Sequence, residues 1–128
     1  MRGGHLPKIG KSGASRHVEA EGFEGHYEDL DGYTIGFETY TADADLGPFF
    51  KGLPDDRCQC PHWGYVIKGK LVYHYPSGDD VITTGEGYFA KPGHLPEIFA
   101  GTAVVEFSPT AEIAKTLEVV TKNMEAMG

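Results

Sequence analysis

The sequence predicts an all-β domain, a sandwich or barrel of short strands, finished by one C-terminal helix. Three observations carry this. Short apolar runs recur between residues 23 and 107 with Gly- and Pro-bearing turns between them, a spacing that suits a sandwich or barrel and not βαβ units. Asp31-Gly32 stands between two strand-like runs, and this dipeptide favours a type I′ hairpin because both central residues of that turn need positive φ. Beyond Ser108-Pro109, residues Ile113, Leu117, Val120, Met124 and Met127 follow at intervals of four, three, four and three, the repeat of one helix face.

In chain order, residues 1–18 are rich in Gly, Ser and bases without apolar periodicity, so they are expected to form a flexible basic arm. The Leu6-Pro7-Lys8-Ile9 patch in it is either inert or docks on a neighbouring subunit. Residues 19–108 are expected to form the barrel and 109–128 the helix. Phe23–Leu30 and Tyr33–Tyr40 make the first hairpin, the second strand alternating Tyr33, Ile35 and Phe37 with smaller or polar residues. Residues 42–56 lack periodicity and read as a loop pinned by Phe49, Phe50 and Leu53, a candidate lid leading into the cysteines. Short strands follow at 65–68, 71–75, 81–83, 88–90, 97–99 and 103–107. Ser108 is the expected helix cap, with Pro109 at the first helical position. The helix stripe is expected to pack on the outside of the barrel or on a partner chain.

A chain of 128 residues is one domain with a single core. Its net charge of −8 is uneven: residues 1–18 hold four of the eleven bases and none of the nineteen acids, leaving 7 − 19 = −12 on the rest. So acidic a body repels phosphate backbones and argues against a nucleic-acid partner. No apolar run approaches the roughly 20 residues that cross a bilayer, and the N-terminus lacks a secretory apolar stretch. A cytoplasmic protein with no membrane partner is expected.

The chemistry concentrates in Cys58-Gln59-Cys60-Pro61-His62 and, downstream, in Lys91-Pro92-Gly93-His94-Leu95-Pro96-Glu97. In a strand, Cys58, Cys60 and His62 share one face. Cys60 and His62, one strand period apart, can chelate directly. A straight strand separates Cys58 from His62 by about 13 Å, so all three meet one ion only across a kink, which Pro61 and the nearby glycines permit. A Cys58–Cys60 disulfide also needs a kink, since the extended Cα separation of about 6.6 Å is near the upper limit for a bridge.

These two stretches resemble the motifs of the cupin superfamily, G-x5-H-x-H-x3-4-E-x6-G and G-x5-P-x-G-x2-H-x3-N, which lie on facing parts of a small jelly-roll barrel. Counting back from Gly69, His62 takes the place of the glutamate, Cys58 that of the second histidine and Asp56 that of the first. Gly85 through Gly93 follow the second motif. There Pro96 occupies the place of the last histidine and His94 stands two residues earlier. The runs Gly52–Arg57, Pro61–Val66 and Glu106–Pro109 are similar to small bacterial cupins of undefined activity. The resemblance implies a cupin-type double-stranded β-helix with a C-terminal α-helix, a homodimer, and a metal in the barrel. It does not carry over the usual three-histidine, one-glutamate ligand set.

With His94 approaching from the facing strand, Cys58, Cys60, His62 and His94 form an S₂N₂ set that favours Zn(II), while sulfur also admits Cu(I) or Fe(II). If all four bind, the site is closed and structural. If only Cys60, His62 and His94 bind, one position stays open for water or substrate. The competing reading makes the thiols small buried hydrophobes. Glu97 and Glu106 are the acid–base candidates where they face the cavity, and solvated carboxylates where they face out. Trp63 points opposite to His62, towards an interface, and His26 and His74 have no partners nearby in sequence. The function expected is a metal-dependent enzyme on a small organic molecule, with dioxygenase, isomerase and lyase all open. The alternative is a non-catalytic small-molecule-binding or redox-sensing barrel with a structural metal or a reactive Cys58–Cys60 pair.

Overall fold

The structure is a computed structural model and describes residues 8–127. Its strands are β1 (Arg16–Ala20), β2 (Phe23–Leu30), β3 (Tyr33–Tyr40), β4 (Ala44–Asp45), β5 (His62–Lys68), β6 (Lys70–Tyr75), β7 (Gly78–Thr83), β8 (Gly87–Ala90), β9 (Leu95–Ile98) and β10 (Thr102–Pro109), followed by α1 (Thr110–Met127). They form a six-stranded sheet in the order β1-β2-β3-β10-β5-β8 and a four-stranded sheet in the order β4-β9-β6-β7. The β2–β3 hairpin turns at Asp31 and Gly32, with φ of 51° and 83°, as a type I′ turn requires. No helix among the described residues is long and apolar enough to cross a membrane.

The sheets meet over an apolar core. Tyr40, Val66 and Val104 come from the larger sheet, and Leu71, Tyr73, Ile82 and Ile98 from the smaller. β10, paired with β3 on one side and β5 on the other, sets the gradient inside the barrel. Residues two apart share a face, so its inner face carries Thr102, Val104, Glu106 and Ser108 in turn and passes from core to polar cluster. A second small core of Phe50, Cys58 and Cys60, backed by Leu53, Leu95, Ile113 and Val120, closes the polar end under α1.

Three expectations about the ends are corrected. Residues 1–7 of the expected arm, with Leu6 and Pro7 of the Leu6–Ile9 patch, lie outside the described residues. The rest is ordered as a 3₁₀ turn, Lys11–Gly13, and as β1, so the expected boundary at 18/19 falls inside a strand. Every residue of β1 is exposed, which removes the burial alternation by which a strand is read, and its hold is polar: Arg16 donates to Asp29 at 2.7 Å. Ser108 does not cap the helix. β10 stays paired with β3 through Pro109↔Tyr33, so Ser108 remains in the strand and turns its hydroxyl inward. The helix, finally, leaves Leu117, Met124 and Met127 of the expected stripe about half exposed. It seats Ile113, Thr116 and Val120, because Asn123 Nδ2 donates to Phe49 O at 2.6 Å and Lys51 O at 2.8 Å and ties that face to the loop. The same loop, anchored by buried Phe50, is the segment expected as a lid.

Candidate metal centre

Cys58 and His94 meet through their backbones. They form an isolated antiparallel bridge, with Cys58 N donating to His94 O at 3.0 Å and Gly93 N donating to Cys58 O at 2.8 Å. His62 opens β5 opposite Ala90 and points inward. The chain from Cys58 to Pro61 is outside the ladder, so the straight-strand separation does not apply, and Cys58 Sγ lies 3.8 Å from His62 Nε2. One donor atom from each of Cys58, His62 and His94 falls within 4.8 Å of the others, all three residues being buried. Cys60 is not in this group. Its Sγ lies 3.4 Å from Pro61 O and its side chain packs with Phe50, so Cys58 holds the position expected for Cys60. Both cysteines are free thiols.

The protonation of the group follows from its partners. His94 Nδ1 is 2.7 Å from Lys91 O, a pure acceptor, so Nδ1 carries the proton and Nε2 keeps a lone pair. That Nε2 is buried without a hydrogen-bond partner. Burial and the neighbouring His62 depress His94 to about 4, which keeps the ring neutral. Nδ1 of His62 contacts Ser108 Oγ at 2.7 Å and faces Glu106 Oε1 at 3.6 Å. The carboxylate favours a proton there, leaving Nε2 for the Cys58 side. Burial pushes the Cys58 thiol up to about 11 and Cys60 to about 12, so without a cation beside them both are thiols at neutral pH.

Below this group lies a carboxylate pair. Glu106 accepts from Tyr73 Oη at 2.6 Å and from Tyr88 Oη, and its side chain is 17% exposed. Burial would raise it, but His62 and the two tyrosine hydroxyls outweigh that and hold it below the usual carboxylate range. Glu38 accepts from Tyr27 Oη at 2.6 Å, and burial together with the Glu106 charge pushes it up to about 8. Glu38 faces Val104 and Glu106 faces Gly36 across the β3–β10 ladder, so the two are diagonal neighbours on the inner face. Around neutral pH Glu106 holds the charge and Glu38 the proton. Glycine makes room for the tyrosines: a Cβ on Gly64 would enter the Tyr88 ring, and one on Gly36 would stand 2.8 Å from the Tyr27 ring.

Solved structures share this architecture. A protein of unknown function from Rhizobium leguminosarum bv. viciae matches over 81% of this chain and 95% of its own, with a TM-score of 0.57 and 14% identity. An RmlC-like cupin from Shewanella frigidimarina matches over 82% and 92%, with a TM-score of 0.55 and 12% identity. The chain has the cupin fold. Ectoine synthase from P. lautus is similar too, over 81% of this chain and 78% of its own, with a TM-score of 0.55 and 11% identity. No protein-family model and no curated protein matches the sequence.

Within this fold, His62 and Cys58, the positions that the resemblance set against the glutamate and second histidine of the cupin motif, are the ones that converge with His94. Of the acid–base candidates, Glu106 faces the interior. Glu97 faces out, because His94 and Pro96 hold the inward parity on that segment, and it binds His74 Nε2 at 2.8 Å. Glu38, Tyr27, Ser108 and Thr116, whose Oγ1 is 3.9 Å from Cys58 Sγ, were missed by sequence reasoning. The signal for Glu38 was its place two residues from Gly36 in a β-alternating run, on the face opposite Tyr33, Ile35 and Phe37.

His74 lies on the surface, bridging Asp79 at 2.8 Å and Glu97 at 2.8 Å. The hydrogen bonds its ring donates to Glu97 and Asp79 raise its pKa above 6.5. The folded state therefore binds the His74 proton more tightly, and the stabilisation is full below the unfolded value of about 6.5 and is lost as pH rises through the folded value. His74→Gln should flatten thermal stability against pH across that window by about 0.5 kcal/mol, the scale of an exposed pair. Superimposable pH profiles of the two proteins would dismiss the pair as a contributor.

Proposed function

We propose that this cupin binds one transition-metal ion through Cys58 Sγ, His62 Nε2 and His94 Nε2, and that it acts as a metal-dependent enzyme on a small organic molecule. The carrying observation is His94: a fully buried imidazole, proton fixed on Nδ1, with an unpartnered Nε2 beside a thiol and a second imidazole. A buried acceptor left unsatisfied costs about 1–3 kcal/mol, and an ion coordinated there removes that penalty. One sulfur and two nitrogens are a borderline-soft set, so zinc is the first candidate and iron or copper the next. Three protein donors leave a fourth position for water or substrate.

The ion would supply Lewis acidity at a carbonyl or carboxylate oxygen. The chain's own groups supply the rest. Lys91 O fixes the His94 tautomer, and Ser108 with Glu106 orients His62. Glu106, ionised and held by Tyr73 and Tyr88, is the base, and Glu38 carries the proton for the acid role. Glu97 has no part in this arrangement, and Cys60 serves the small core.

A structural metal in a non-catalytic, small-molecule-binding barrel is the second reading, favoured by the near-complete burial of Cys58 and His94 at 2% and 0% exposure. Its redox-sensing form draws no support from thiols raised by burial. A homodimer is the assembly we propose, on the support of Trp63, Tyr65, Phe89 and Phe107, exposed apolar residues together on the outer face of the larger sheet. Untagged protein should be assayed by elemental mass spectrometry with a free-thiol count and a solution mass. About one zinc, iron or copper per chain, with one thiol protected, supports the site. No metal and two freely reacting thiols would refute it, and a monomeric mass would refute the dimer. Cobalt-substituted protein whose spectrum shifts on adding a small carboxylate would favour the enzyme over the structural reading.

A further inference from the structure

A second group of metal donors lies on the outside of the β1–β2 hairpin, away from the barrel interior. His17 and His26 are directly opposed across the two strands, and their rings stack with centroids 4.3 Å apart and planes 11° apart. Glu24 stands two residues before His26, on the same face. Its Oε2 lies 3.2 Å from His17 Nε2 and 3.4 Å from His26 Nε2. The other oxygen, Oε1, is turned to Lys11 Nζ at 3.6 Å, which orients the carboxylate without occupying Oε2.

We propose that His17, Glu24 and His26 form a second, surface site for a divalent transition metal of the zinc class. Two independent observations carry it. The three donor atoms lie within 4.8 Å of one another, and two of the separations match the roughly 3.4 Å between nitrogen and oxygen ligands set tetrahedrally about 2.0–2.1 Å from one zinc. Separately, His26 Nε2 is a buried atom with no hydrogen bond of good geometry, although it faces the carboxylate. A stacked pair of imidazoles turning the same nitrogen to a single oxygen leaves a lone pair unmatched unless both rings are protonated there, and an ion between them uses all three donors. Two nitrogens and one carboxylate oxygen suit Zn(II), Ni(II) and Cu(II), with copper bound most tightly, and the fourth position opens to solvent. This site uses no thiol, so its chemistry differs from that of the inner group and it stands whether or not that group binds metal.

The test is calorimetric titration of untagged, chelator-stripped protein with zinc chloride, followed by cobalt titration read in the near ultraviolet. Cobalt bound by a thiolate shows sulfur-to-metal charge transfer, whereas cobalt held by histidine and carboxylate does not. The expected result is a zinc equivalent whose affinity falls at least tenfold in His17→Ala/His26→Ala and in Glu24→Gln, with any cobalt–thiolate band unchanged. Because the cluster lies on the outer face of an edge hairpin, away from the core, circular dichroism should show the fold intact. His74→Ala, which breaks the other surface histidine–carboxylate cluster, should leave the titration as in wild type. Unchanged zinc binding in both the double variant and Glu24→Gln would overturn the site, as would a wild-type protein with no zinc equivalent outside the thiol-containing one.

Discussion

His94→Ala protein is expected to retain at most about a tenth of the wild-type affinity for the inner metal, while His74→Ala retains it in full. The two residues are alike in sequence terms, each an isolated histidine in a β-rich stretch. They differ in what their nitrogens meet. His74 spends both on surface carboxylates, whereas His94 spends Nδ1 on Lys91 O and leaves Nε2 to the Cys58–His62 side. Metal per chain after dialysis against a weak chelator measures the difference. Since His94 is fully buried and its loss opens a cavity, Cys58→Ser serves as the companion variant, nearly isosteric and poorer in softness. Equal occupancy in wild type, His94→Ala and Cys58→Ser would remove the inner site.

Glu38→Gln is expected to make the protein more stable, by an amount that grows with pH. In the folded chain, burial and the Glu106 charge hold the Glu38 proton up to about 8, whereas in the unfolded chain it leaves near 4.5. The folded state thus binds more protons than the unfolded across that interval. The contribution of Glu38 is fully favourable below pH 4.5 and is lost as pH rises to about 8. Glutamine keeps an acceptor for Tyr27 Oη and removes the charge. On the order of 2 kcal/mol should be gained at pH 8, roughly 5–10 °C in Tm, and little at pH 4.5. A variant less stable than wild type at pH 8 would show that Glu38 is compensated by a group other than Tyr27.

Much of the architecture was legible in the residues. The β2–β3 hairpin follows from Asp31-Gly32, the strand series from its turn chemistry, and the helix from its apolar repeat. Cys58, His62 and His94 could all be named as candidate donors, the first two from residue type and motif position and His94 from its parity with Pro96. Two things could not. Which cysteine joins the histidines depends on the backbone pairing of Cys58 with His94, two segments 36 residues apart in the chain, and no local spacing encodes it. Nor could the sequence say which face of β3 lies inside. Tyr33, Ile35 and Phe37 look like its buried set, yet the inner positions are Thr34, Gly36 and Glu38, whereas on β5 the donor chemistry of His62 already set it opposite Trp63. Period-two alternation fixes that two faces differ but carries no sign.

Strand content, turn positions and donor chemistry were therefore set by local sequence, because each depends on a residue's own backbone preference or functional group. The sign of the β3 faces, the approach of Cys58 rather than Cys60 to the histidines, and the opposite shifts of Glu38 and Glu106 came only with the folded barrel. Each depends on burial and on charges brought close from distant strands, and a pKa or an orphaned lone pair is a property of that enclosure rather than of the residue that bears it.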